Sequence, residues 1–153
     1  MKLLPSFRSK SLFDREDSAR IVEAIRDTEK QTSGEIRVFI ESRCRFVDPL
    51  DRAAEIFWSL KMDHTVYRNS VLLYVAVKDH QFAIFADTGI HQKLGNEFWQ
   101  NEVKLMSAHF RENHYRDAVL KCIEDTGRAL REQFPYDPKA DKNELPDDIV
   151  FGK

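Results

Sequence analysis

The run Val71-Leu72-Leu73-Tyr74-Val75-Ala76-Val77 is apolar at every position. A strand with one wet face alternates apolar and polar residues; a strand covered on both faces does not. The run therefore reads as a central strand from Asn69 to Val77, with structure packed on each side. It is far too short to cross a bilayer, which takes about 20 residues. Lys78 to Gln81 is a turn, and Phe82 to Ala86 follows as a second strand. So short a connection makes the two an antiparallel hairpin.

Upstream, Glu35 to Glu41 alternates in the strand manner, with Ile36, Val38 and Ile40 on one face and Arg37, Phe39 and Glu41 on the other. Asp48-Pro49 then opens a helix, with Asp48 as cap and Pro49 in the first turn. Ala53, Ile56, Phe57 and Leu60 form its buried stripe. Strand, helix and central strand make a βαβ unit, so the two strands run parallel with a right-handed crossover.

Helices supply the rest. Asp14 caps the first, with Asp17 near its free amides and Ile21, Ile25 and Thr28 at helical spacing. That helix ends before Ser33-Gly34, where Gly34 is expected in a left-handed turn. Trp99, Val103, Met106 and Phe110 define one later apolar face, and Val119, Ile123, Thr126, Leu130 and Phe134 another. Asn113 separates them, and Pro135 stops the last helix. The pattern predicts an α/β fold, a three-layer α/β/α sandwich around a small mixed sheet. The expected organisation is an N-terminal arm over 1–11, one domain over 12–135, and an extended tail over 136–153 on or near the domain.

Bulk properties narrow the function. The chain has 153 residues, which suits one domain, and its 42% hydrophobic and 33% charged content argues against global disorder. A formal charge of −2 gives no basic excess, so nucleic acid is not an expected partner. No transmembrane segment or apolar leader core stands out, and the expected compartment is the cytoplasm. A monomer is expected. Cys44 and Cys122 lie in no Cys-x-x-Cys or Cys/His cluster, so they read as reduced thiols, one in a loop and one on a helix.

The topology brings acids together. The starts of the two parallel strands and the end of the returning strand share one sheet edge, which places Glu35, Asn69 and Asp87 at a common rim. The preceding loop adds Asp63 and His64. Ca²⁺ and Mg²⁺ take several oxygen ligands, so Glu35, Asn69, Asp87 and Asp63 match a hard-cation site in residue type, without the spacing of an EF-hand. A carboxylate there also suits a general base or metal-bound orienter in phosphate ester hydrolysis. Plainer readings stand beside these. Asp87 with Thr88-Gly89 reads equally as a turn and helix cap, Asn69 as a partner of loop amides, and Glu35 as half of a surface ion pair.

Other motifs carry less. Gly34, Gly89 and Gly95 make neither a phosphate loop nor a dinucleotide fingerprint, so no organic cofactor is expected. His109 and His114 are not spaced as a zinc pair, and no nucleophile elbow is present. His91 reads as a solvated histidine. Phe98 and Trp99 read as core, and Arg128, Arg131 and Glu132 as a solvated helix face. No catalytic residue is assigned.

Glu29-x-x-Thr32-Ser33-Gly34-Glu35-Ile36, Arg68-Asn69-Ser70-Val71-Leu72-Leu73 and Asp87-Thr88-Gly89-Ile90-His91 together resemble the TPM domain, as do Phe98-Trp99, Phe134-Pro135 and Asn143-Glu144-Leu145-Pro146-Asp147. The resemblance spans residues 12 to 151. It implies a Rossmann-like α/β/α fold and divalent-metal binding at loops on one edge. Relatives of this family are described as acid phosphatases, as photosystem repair factors and as receptor modulators, so weak phosphatase activity and a non-enzymatic interaction module tied to membrane or complex maintenance are both implied. Carried over by motif, the site residues are Glu35, Asn69 and Asp87; Asp63 and His64 lie where the family varies more.

Overall fold

In the computed structural model, residues 13–138 and 149–151 are described. The order is α1 (Arg15–Glu29), β1 (Glu35–Glu41), α2 (Pro49–Ser59), β2 (Ser70–Ala76), β3 (Gln81–Ala86), α3 (Thr88–Arg111), α4 (Tyr115–Gln133) and β4 (Ile149–Phe151). The sheet order is β3-β2-β1-β4. β1 is parallel to β2 and to β4, whereas β3 returns antiparallel to β2. The expected βαβ unit and hairpin are present. The fourth strand comes from the segment read as an extended tail; three residues pairing at Val38 to Ile40 leave too short a pattern to see in sequence.

The caps follow from side-chain chemistry. Asp14 accepts from Asp17 N at 2.8 Å, while the Asp17 carboxylate accepts from Asp14 N at 3.3 Å, a reciprocal capping box. Asp48 accepts from Asp51 N at 2.9 Å and Pro49 occupies the first turn of α2. Asn113 turns between α3 and α4 with a left-handed φ of 62°.

Two cores flank the sheet. Ile36, Val38, Ile40, Val71, Leu73 and Val75 pack against Ile21 and Ile25 of α1, Met106 and Phe110 of α3, and Val119, Ile123 and Leu130 of α4. Phe39, Leu72, Tyr74 and Ala83 pack on the other side against Ala53, Ile56 and Phe57 of α2. Each fully buried aliphatic or aromatic side chain contributes about 1.5–3 kcal/mol relative to exposure.

Two expectations change. Gly34 is not left-handed; among the described residues Gly95, at φ 80°, is the glycine that is. Gly34 is small for want of space, since a Cβ there would lie 2.5 Å from Leu130 Cδ2 and 3.2 Å from Asn69 O. The apolar stripe of α3 also splits at its middle. Met106 and Phe110 are buried, but Val103 is 41% exposed and Trp99 only partly covered. Their half of the helix stands beside β3, the outer strand, so no further strand among the described residues covers it.

Candidate functional site

The rim is built by register. Glu35 pairs with Ser70, and the Asp87 amide donates to Ser70 O at 3.0 Å, one step beyond the Val71–Ala86 pair. Glu35, Ser70 and Asp87 therefore form one row across β1, β2 and the end of β3. At the usual strand spacing the outer two backbones are roughly 10 Å apart. Glu35 and Asp87 are each 2% exposed. Asn69 is buried beside them, but its Nδ2 donates to Ser33 Oγ at 3.2 Å, towards the loop before β1.

Asp87 has two partners. Its Oδ1 accepts from Thr88 N at 2.7 Å, capping α3. The Arg68 guanidinium takes both oxygens, Nε to Oδ2 at 2.7 Å and Nη2 to Oδ1 at 2.8 Å. This forked geometry is the strong form of the arginine–carboxylate pair. The hydrogen bond to Asp87 raises the Arg68 pKa above its ordinary value, and the charge of Asp63 adds to the effect. Arg68 itself has a left-handed φ of 52°, a conformation uncommon outside glycine. Asp63 is half-buried, with the exposed His64 ring nitrogen 3.8 Å away.

Gly89 allows this arrangement. A Cβ on it would fall 2.1 Å from Tyr67 O and 2.6 Å from Arg68 O. The start of α3 thus lies directly on the Tyr67–Arg68 backbone, and Ile90 N donates to Arg68 O at 3.3 Å. The Asp87-Thr88-Gly89 string works as a cap and as a close-approach element together.

Two polar clusters escaped the sequence reading. At the opposite sheet edge, Arg52 donates Nε to Glu41 Oε2 at 2.9 Å and Nη2 to Glu41 Oε1 at 3.0 Å, and Tyr74 Oη donates to Glu41 Oε2. Burial alone would raise the Glu41 carboxyl, but the hydrogen bonds from Arg52 and Tyr74 outweigh it and hold the group below its usual range. Between α3 and α4, Glu102 and Asp125 are 4% and 7% exposed. Burial first, then its hydrogen bond with Asp125, pushes the Glu102 carboxyl up to about 8. Lys121 and Arg128 flank Asp125 at 3.2 and 3.5 Å. The signal available for both clusters was a polar residue on an otherwise buried face. Periodicity marks such positions but does not pair them.

Among the described residues no three His, Cys, Asp or Glu side chains gather tightly enough to hold a metal ion. The oxygen donors at the rim are Asp87, Glu35, Asp63 and the Asn69 amide, with Arg68 already bound to Asp87. Asn69 Oδ1 is buried and accepts no hydrogen bond from the described residues. Both cysteines are free thiols; burial pushes Cys122 up to about 12, which leaves it unreactive. No described helix is long and apolar enough to cross a membrane.

Comparison with known proteins shows the family and the fold. The family model described as the TPM domain matches residues 7–129. The NMR structure of BA42 from the psychrophilic bacterium Bizionia argentinensis is 40% identical, covers 92% of this chain and 95% of its own, and superposes with a TM-score of 0.83. The N-terminal domain of cg2496 from Corynebacterium glutamicum is 16% identical over 76% of this chain and 73% of its own, with a TM-score of 0.62, a likeness of fold. A comparison with curated proteins returns no relative.

Proposed function

The chain belongs to the TPM-domain family, and from the geometry of its rim we propose that it binds a divalent cation there in exchange for Arg68. One observation carries the reading: Asn69 Oδ1 is a buried acceptor without a donor among the described residues, one position from the arginine that neutralises Asp87. An orphaned buried carbonyl costs roughly 1–3 kcal/mol, a cost that a bound cation would remove. The donor set of carboxylates and one amide oxygen suits Ca²⁺ or Mg²⁺ rather than a soft metal. Asp87 and the Asn69 amide would be the first donors. Glu35 and Asp63 would have to close in on them, because the rim carboxylates do not gather among the described residues. The Arg68 side chain, 41% exposed, has solvent to move into.

Such an ion would supply Lewis-acid polarisation of a phosphoryl oxygen. The residues' own part is different. Arg68, released from Asp87, becomes a forked donor suited to phosphate. The charge of Asp63 already acts on that guanidinium and would help to orient it. Weak phosphate monoester hydrolysis is the activity proposed for this site. The test is calorimetric titration with Ca²⁺ and with Mg²⁺ of the native chain and of Asp87→Asn, joined to hydrolysis of an aryl phosphate with and without chelator. Asn still caps α3, so the variant separates ligation from folding. Equal binding by both proteins would refute the assignment.

A second reading, a non-enzymatic interaction module, is favoured by the outer edge of β3. Among the described residues it lies unpaired along a cavity of about 910 Å³.

A further inference from the structure

We propose that the groove along β3 binds an extended polypeptide segment, apolar at alternate positions and acidic in between, as an added strand. This deepens the interaction reading and is independent of the cation site.

The backbone makes the first argument. β3 ends the sheet order, so alternate N–H and C=O groups along it face away from β2. Soluble proteins guard such an edge with Lys, Pro, a bulge or a covering element. Phe82-Ala83-Ile84-Phe85-Ala86 has none of the sequence guards, and its pairing with β2 runs in unbroken register. Every β3 residue except Phe85 lines the cavity of about 910 Å³; Phe85 turns instead to the Phe57 ring, at 4.7 Å.

The walls make the second. Leu50, at the start of α2, is 54% exposed and Val103 of α3 is 41% exposed, and both line the same cavity with Trp99. A strand laid on β3 sends alternate side chains to opposite faces. One set would meet Leu50, the other Trp99 and Val103. The edge lies between two helices, so an isolated segment fits better than the β3 edge of a second copy, which carries the same two helices with it.

Lys104 sets the chemistry between the apolar positions: it is the cation lining the groove, and the carboxylate of the acid there, Asp48, is already engaged in capping α2, while His80 and His91 add hydrogen-bonding imidazoles. The Trp99 ring lines the groove, so a strand laid there would pack beside it. A six-residue strand is about 20 Å long, which sets the segment at six or seven residues.

The test is selection from a displayed library of random heptapeptides against the intact chain, followed by NMR titration with the best synthetic heptapeptide. The expected peptide alternates apolar and acidic residues, shifts the amides of Gln81 to Ala86, and moves the Trp99 indole N–H. Methylating its alternate backbone nitrogens should weaken it by about tenfold or more. Val103→Asp, a change at a half-exposed position, should do likewise without unfolding. Binding that survives both changes overturns strand addition. Binding that shifts other residues overturns the groove but leaves the interaction reading standing. No enrichment over a control protein overturns both.

Discussion

Arg68 holds both carboxylate oxygens of Asp87, at 2.7 and 2.8 Å, while Asp87 caps the helix that begins at the next residue. The acid that most attracts a metal reading is therefore already balanced by a cation. The pair gives a carboxylate that is only 2% exposed a counter-charge at the sheet edge. It also makes Arg68 the competitor of any bound ion.

Arg68→Gln should strengthen Ca²⁺ and Mg²⁺ binding by about tenfold, because the resident cation no longer has to be displaced. The same change should abolish any phosphate monoester hydrolysis, since the forked donor is lost. Titration calorimetry and an aryl phosphate assay read the two effects separately. Weaker cation binding in this variant would contradict the exchange.

Gly89→Ala should destabilise the fold by about 2–4 kcal/mol in urea unfolding. The added Cβ meets the carbonyl oxygen of Tyr67 at 2.1 Å, and backbone cannot rotate away as a side chain can. Gly95→Ala makes the contrast: nothing lies within 4 Å of its Cβ, so the cost there comes only from the left-handed φ of 80°.

Glu102 sets an alkaline dependence. Its carboxyl, raised from 4.5 to about 8, favours the protonated form in the folded state. The stability it contributes is fully present below about pH 4.5 and is lost as pH rises through about 8. Glu102→Gln should flatten this slope and leave the variant more stable than the native chain at alkaline pH, on the order of 2 kcal/mol. Denaturant melts of both proteins across this range check the sign.

Glu41 acts in the opposite direction. Its pKa is lowered, so its stabilisation is present above the ordinary value of 4.5 and is lost as pH falls. Tyr74→Phe removes one of its hydrogen bonds and should cost about 1–2 kcal/mol at neutral pH, less once Glu41 is protonated. A difference between the proteins that does not shrink on acidification would contradict this account of Glu41.

Much of this architecture was legible because its signals are local. The apolar run at Val71 marked the central strand, Asp14 and Asp48 marked helix starts, and strand direction alone placed Glu35 and Asp87 at one rim. What stayed hidden depends on contacts across the sequence. Arg68 lies next to Asn69 in the chain, yet nothing local says that its guanidinium reaches a residue beyond the hairpin. β4 hydrogen-bonds to β1 through three residues far along the chain. Trp99 and Val103 have the spacing of core residues, and only the sheet order shows that the outermost strand leaves them beside an open edge. Periodicity reports which face is apolar; it does not report whether another layer covers it.

The most direct measurement is an NMR titration of the native chain with Ca²⁺ and Mg²⁺, followed at the backbone amides and the Arg68 Nε–H. The account predicts saturable shifts at Glu35, Asn69 and Asp87, with the Arg68 Nε–H moving towards its solvent position as the ion enters. Amides at Glu35, Asn69 and Asp87 that stay still up to about 10 mM of either ion, a concentration beyond the weakest extracellular calcium modules, would contradict it.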